Sequence, residues 1–140
     1  MFALALSLFA AGAAQAAANG DCAGQTTVEL NDCAGKNLEA AEARLQKYQQ
    51  AAIDRYSTEE DENPAVVLGI KASSEAFAAY RSIECATIYE DYKQGTIRTM
   101  MSLGCQIYLT NQRTHTIWEN WLRYMDSTPP ILPEPKPTDQ

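Results

Sequence analysis

The chain has 140 residues, with 18 aspartate and glutamate residues against 11 lysine and arginine residues and a formal net charge of -7. This length suits one domain rather than two. The acidic balance argues against a nucleic-acid partner, because phosphate binding needs clustered lysine and arginine. It is compatible with a soluble exported domain and with a basic protein partner.

The first 18 residues are typical of a secretory signal peptide. They carry no charge, their centre is apolar, and the small-x-small sequence AQA at 14–16 suits cleavage after Ala16 or Ala18. A spanning helix needs about 20 strongly apolar residues, and this run is short and rich in alanine; a retained membrane anchor is the alternative. We therefore predict a periplasmic or secreted bacterial protein, free of the membrane after cleavage, whose helical domain covers residues 19–126.

The first predicted helix covers residues 27–56. The sequence TTVE at 26–29 is a capping box, in which Thr26 caps the helix and Glu29 reaches back. Apolar or small residues then recur in steps of three and four, which is the period of one helical face. They are Leu30, Ala34, Leu38, Ala41, Leu45, Tyr48, Ala52 and Tyr56. The acidic stretch STEEDENP at 57–64 ends the helix and lacks the spacing and the glycine of an EF-hand calcium loop, so we predict a solvated loop.

The second predicted helix covers residues 64–93, with Pro64 in its first turn. Its predicted inner face holds Val67, Ile70, Ser74, Phe77, Arg81, Cys85, Ile88 and Tyr92. Gly95 is predicted to be the C-cap glycine where the chain turns after this helix, and Thr96 is predicted to cap the third helix, which covers residues 97–124. The inner stripe predicted for that helix is Ile97, Met101, Cys105, Tyr108, Gln112 and Ile117.

The end of the chain, residues 127–140, holds all but one of the six prolines. Proline removes backbone donors and favours extended conformations. This segment is therefore predicted to be an extended, disordered tail.

Four cysteines in an exported chain, Cys22, Cys33, Cys85 and Cys105, are expected to form two disulfides. No pair has the CxxC spacing of a zinc or redox site. Cys85 and Cys105 each lie about eight residues from the turn, or about 12 Å from its tip at the helical rise, so two antiparallel helices bring them level. Gly104 removes a side chain at this point. We favour Cys85–Cys105 with Cys22–Cys33, while Cys33–Cys85 and Cys33–Cys105 stay open.

Three stretches of the chain carry a family resemblance. TTVELNDCAGKNLEAAEARLQKYQ at 26–49 is similar to TxxEMNxCAxxxYxxADxxLNxxY, AFAAYRSIEC at 76–85 to AWxxYRDAEC, and GCQIYLTNQRT at 104–114 to CxxxLTxxRT. Together they resemble the lysozyme inhibitor LprI-like family. The resemblance implies a small helical, disulfide-bonded, exported domain with lysozyme as a partner. Phe77 stands where the family usually has Trp and Ser82 where it often has Asp, and Asp21 before Cys22 does not fit a lipoprotein signal, so a lipid anchor is not implied.

The polar residues inside these motifs are Tyr80, Arg81, Glu84 and Arg113. Arg81 and Glu84 are spaced i, i+3 and are predicted to pair along the helix, and Arg113 is predicted to join them across the hairpin. They form either an ion network that fixes the register of the helices or a contact surface for a partner.

We predict neither an enzyme nor a cofactor or metal site. His115 is the only histidine, and no G-x-S-x-G, HExxH or phosphate-loop motif occurs. Trp118 and Trp121 are predicted to pack in the core, with a partner anchor as the alternative. The sequence thus predicts an all-α antiparallel three-helix bundle stapled by two disulfides. Its predicted function is inhibition of lysozyme-type peptidoglycan hydrolases by docking, with lysozyme or another basic secreted or envelope protein as the partner. The alternative is a non-enzymatic structural or accessory protein of the bacterial envelope.

Overall fold

The computed structural model describes residues 22–58 and 62–136. Within these ranges the chain forms no strand and three α-helices, α1 (Thr27–Arg55), α2 (Pro64–Asp91) and α3 (Arg98–Ile117), and a π-helical segment, Trp118–Leu122, continues α3. The predicted all-α class is confirmed. None of the helices in this part of the chain is long and apolar enough to cross a membrane. The predicted signal peptide and residues 59–61 and 137–140 lie outside the described residues.

The capping box predicted for α1 is present. The Thr26 hydroxyl accepts a hydrogen bond from the Glu29 backbone N–H at 3.2 Å, and the Glu29 carboxylate accepts one from the Thr26 backbone N–H at 3.0 Å. The backbone N–H groups of Gln25 and Thr26 both donate to this carboxylate and so lower the pKa of Glu29. Local sequence alone therefore fixes where α1 begins.

The other two helices begin differently. Asn63 caps α2 by accepting a hydrogen bond from the Val66 backbone N–H at 3.3 Å, and Pro64 occupies the first turn as predicted. The cap of α3 is Ile97, without a side-chain hydrogen bond. The prediction that Thr96 caps α3 is therefore wrong, and the prediction that Gly95 caps the preceding helix is also wrong, because α2 ends with Tyr92 as its C-cap.

α3 is the central helix of the bundle. It packs against both α1 and α2, which contact each other only sparsely. Tyr108, predicted to face inward, is 55% exposed, whereas Ile107, Thr110 and Thr114 are fully buried. Because a central helix has neighbours on two sides, its buried positions do not follow a single stripe.

The main apolar core lies where α1 ends and α2 begins. Its members are Tyr48, Ala52, Ile70, Ile117, Trp118 and Leu122. Trp121 is partly buried against this cluster and meets the Tyr56 ring edge-to-face, with the ring centroids 5.9 Å apart. Both tryptophans thus pack as predicted.

Both disulfides lie at the opposite end of the bundle. The Cα–Cα distances are 5.8 Å for Cys22–Cys33 and 5.6 Å for Cys85–Cys105, and no cysteine is free. Gly104 is buried next to Cys105. The favoured pairing is confirmed, and both alternatives that involve Cys33 with another helix are excluded.

The described part of the tail is docked, in contrast to the disorder predicted from its composition. The buried Tyr48 hydroxyl donates to the Pro133 carbonyl at 2.7 Å, and the Trp118 indole N–H donates to the Leu132 carbonyl at 2.9 Å. The Leu132 side chain packs on the core. Large aromatic side chains at the core edge need acceptors for their polar ends, and the extended chain supplies backbone carbonyls for them.

Candidate functional site

A groove opens between α1 and α2, because α3 holds these helices on either side of itself. Its volume is about 490 Å³. Both signs of charge line it, with Glu42 from α1 and Lys71, Glu75 and Arg81 from α2. The aromatic ring of Phe77 contributes an apolar part of the wall. Of the four predicted site residues, Arg81 lines this groove.

Arg81 connects all three helices. Its Nη2 lies 2.6 Å from the Glu42 carboxylate on α1, and its Nη1 donates to the Thr110 hydroxyl on α3 at 2.6 Å. The Arg81 side chain is only 18% exposed. The Arg81 guanidinium therefore uses its hydrogen bonds to hold the three helices together, and the Glu42 carboxylate balances its charge within the groove.

The predicted partner of Arg81 was wrong. Glu84 is exposed, and among the described residues no ion pair joins it to Arg81. One turn along α2, Glu84 lies on the flank, whereas Arg81 lies on the inner face beside Cys85. The carboxylate that Arg81 needs therefore comes from another helix.

Arg113 reaches α2 from α3. Its Nη2 donates to the Ser73 hydroxyl at 2.7 Å, and its partial burial lowers the pKa of the guanidinium. The Phe77 ring lies between two cations, with the guanidinium carbons of Arg81 and Arg113 each 5.9 Å from its centroid. The aromatic position where the family usually has Trp thus serves as a shared cation–π platform.

Tyr80 does not join this network. It is 52% exposed and, like Glu84, lies on the outside of α2. The four predicted site residues therefore divide into two inward arginines and two outward side chains. Sequence reasoning missed Glu42, Ser73 and Thr110, and the one signal for Glu42 is its place next to Ala41 on the inner stripe of the first helix.

His115 and the cysteines offer no nucleophile–base pair. All four cysteines are in disulfides. The His115 ring nitrogen Nε2 lies 3.2 Å from the Glu134 carboxylate in the tail, and its ring lies 5.5 Å from that of Trp118. This arrangement places the histidine at the seam between α3 and the tail.

We expect Arg81→Met to lower the free energy of unfolding by about 2 kcal/mol, because it leaves the Glu42 carboxylate and the Thr110 hydroxyl without their charged partner. The matched control is Glu84→Gln on the same helix, for which we expect a change within about 0.5 kcal/mol. Urea unfolding followed by circular dichroism measures both. If both variants lowered the free energy of unfolding equally, the contacts of Arg81 with Glu42 and Thr110 would not contribute specially to stability.

A family model described as lysozyme inhibitor LprI matches residues 17–117. The match covers α1, α2 and α3, both disulfides, Arg81 and Arg113. No curated protein and no solved structure gives a significant match.

Proposed function

The chain belongs to the lysozyme inhibitor LprI family, and from this premise we propose that it binds and blocks lysozyme-type peptidoglycan hydrolases outside the cytoplasm. The family membership is the observation that carries the proposal. Two disulfides suit an oxidising compartment such as the periplasm. The proposed inhibition is docking without catalysis.

Charge supports docking to a basic enzyme. The formal net charge is -7, and residues 1–18, which we expect to be removed, contribute none of it. Lysozymes that attack bacteria are often basic and carry catalytic carboxylates in a cleft. Opposite net charges accelerate encounter and favour the correct partner, and added salt weakens both effects.

Arg81, the arginine of the groove, is a poor candidate for insertion into such a cleft. Arg81 is held by Glu42 and Thr110 and is mostly covered, so binding an enzyme carboxylate would require it to leave both partners. Breaking a partly buried charged contact costs free energy that docking would have to recover. We therefore propose that the contact lies outside the groove.

The α2–α3 turn, residues 93–98, is the surface we favour. All six of its residues are exposed, and Ile97 exposes 50% of its surface. Lys93 supplies a cation, and Arg98 supplies another that lies over the Tyr89 ring at 4.8 Å. The nearby Cys85–Cys105 disulfide ties the helices that carry the turn. This exposed, disulfide-tied tip offers two cations to a carboxylate-lined cleft, while the exposed Glu90 and Asp91 just before them continue the acidic surface that suits a basic enzyme.

The first test is titration of the oxidised protein, without residues 1–18, into a lysozyme cell-wall lysis assay at low and high salt. We expect stoichiometric inhibition that weakens as salt is added. Absence of inhibition at micromolar concentration against both basic and bacterial lysozymes would overturn the proposal. The accessory role in the envelope would then be the better account.

A charge reversal tests the turn. We expect Lys93→Glu to raise the concentration needed for half-inhibition by at least about tenfold, because it would face the enzyme carboxylates with a like charge. The matched control is Lys47→Glu, an equally exposed lysine on α1, which changes the net charge by the same amount. If the two variants lose inhibition equally, net charge rather than the turn governs binding.

A further inference from the structure

The outward face of α2 is apolar along most of its length. Seven apolar residues follow one line on the side of the helix opposite the core, and all are exposed, with Leu68 at 68% and Ile83 at 70%. The others on this line are Ala65, Ala72, Ala76, Ala79 and Ala86. Their steps of three and four match the period of a straight α-helix.

A helix on the surface of a bundle normally turns charged residues to the solvent. Between residues 65 and 86 the charged side chains of α2 lie off this line, and they are Lys71, Glu75, Arg81 and Glu84; Glu90 continues the line one turn beyond Ala86. Gly69 lies beside the line, and packing within the chain does not require a glycine there, because a Cβ added at this position would meet nothing within 4 Å. Glycine destabilises a helix interior and often marks a close approach of another backbone.

We propose that this face is a homodimer interface, in which α2 packs antiparallel against α2 of a second copy. The line reads almost the same in both directions about a point between Glu75 and Ala76. Reversal exchanges Ala65 with Ala86, Leu68 with Ile83, and Ala72 with Ala79. An antiparallel two-fold pairing centred there places Leu68 against Ile83 and Ala72 against Ala79 of the second copy, so the patch is complementary to itself as a two-fold interface requires.

The distribution of small and large side chains along the line suits close contact between two helices. Alanines occupy the middle, where the two backbones would approach most closely, and the larger Leu68 and Ile83 would meet near both ends and fix the register. The line spans about 32 Å, so a strip about 10 Å wide covers roughly 320 Å² of each copy. The total of about 640 Å² is below the roughly 1,000 Å² of most specific interfaces, so we expect weak association, in the high micromolar range.

Charge opposes this dimer. Each copy has a formal net charge of -7, and the two Glu75 side chains would flank the two-fold axis on the same side. Salt screens repulsion between like charges. We therefore expect added salt to strengthen the dimer, although it weakens the proposed inhibition of lysozyme. The opposite salt dependences separate the two proposals, which can fail independently.

Sedimentation equilibrium of the oxidised protein, without residues 1–18, tests the dimer at two salt concentrations. Both disulfides and the described core lie within residues 22–136, so this chain keeps what holds the bundle together. We expect a monomer–dimer equilibrium with a high micromolar dissociation constant that falls as salt is added. A monomer at about 500 μM, or assembly beyond the dimer, would overturn the proposal.

Three variants sharpen the test. Ile83→Glu should weaken the dimer at least about tenfold, because it buries a charge against the partner, while Val28→Glu should leave it unchanged. Val28 on α1 is 69% exposed, so the control matches Ile83 in exposure and in added charge. Glu75→Gln should tighten the dimer, a gain that misfolding cannot produce. The proposal would be overturned if Ile83→Glu and Val28→Glu had equal effects on the dimer. It would also be overturned if the unsubstituted protein were a monomer and Ile83→Glu abolished its binding to lysozyme.

Discussion

Replacement of Cys85 and Cys105 together by alanine is expected to lower the free energy of unfolding by about 3 kcal/mol, because it releases a loop that restrains the unfolded chain. The two cysteines are 20 residues apart in sequence. α2 has only two buried apolar residues, Ile70 and Cys85, so the disulfide is one of the two places where its inner face is fully covered. Guanidinium unfolding of the double variant, followed by circular dichroism, measures the loss.

The Cys22–Cys33 disulfide provides the matched control. It joins the lead before α1 to α1 itself, across 11 residues, and links no second helix. Without this disulfide, the segment before α1 gains conformational entropy in the native state as well as in the unfolded state. The two gains partly cancel in the free energy of unfolding. We expect less than half the loss found for Cys85–Cys105. Equal losses would show that the hairpin disulfide has no special part in holding α2 on the bundle.

Truncation of the chain after Asp126 is expected to cost about 2 to 3 kcal/mol, because it removes the acceptors of two aromatic donors and the apolar contact of Leu132. Trp118 is 8% exposed while its indole N–H donates to the Leu132 carbonyl. Removal of the tail would open this side of the core to water. We expect a lower thermal midpoint, a red shift of tryptophan fluorescence and easier quenching by acrylamide.

A chain that ends at Lys136 controls for truncation itself. The hydrogen bonds from Tyr48 and Trp118 both end on carbonyls before that point, at Pro133 and Leu132. We expect this shorter deletion to leave stability and fluorescence unchanged. If both truncations behave like the full chain, the tail contacts contribute little to the free energy of folding.

Much of the fold could be predicted from local patterns. The predicted inner face of the second helix is correct: Ile70 and Cys85 are buried, and Val67, Phe77 and Arg81 are partly buried. The disulfide pairing followed from helical rise and turn position, because two antiparallel helices of known length leave few pairs of cysteines level. These features depend on residues close in sequence or on the simple geometry of one hairpin.

The candidate site could be predicted only in part. Sequence motifs singled out Arg81 and Arg113, but the partner chosen for Arg81 was the nearest carboxylate along the helix. The observed partner, Glu42, is 39 residues away. Spacing along one helix predicts which side chains are neighbours on it, whereas ion pairs between helices depend on which faces meet.

The sequence by itself determined three helices, the start of α1 and the family, and it favoured the disulfide pairs that the structure then settled. Each follows from short-range hydrogen bonds, helical period or a motif within one stretch of chain. Only the tertiary structure decided that α3 lies centrally, that the proline-rich tail covers Trp118, and that the apolar line of α2 faces solvent. A period assigns residues to a face but does not say what covers that face, because burial arises from segments that are distant in sequence.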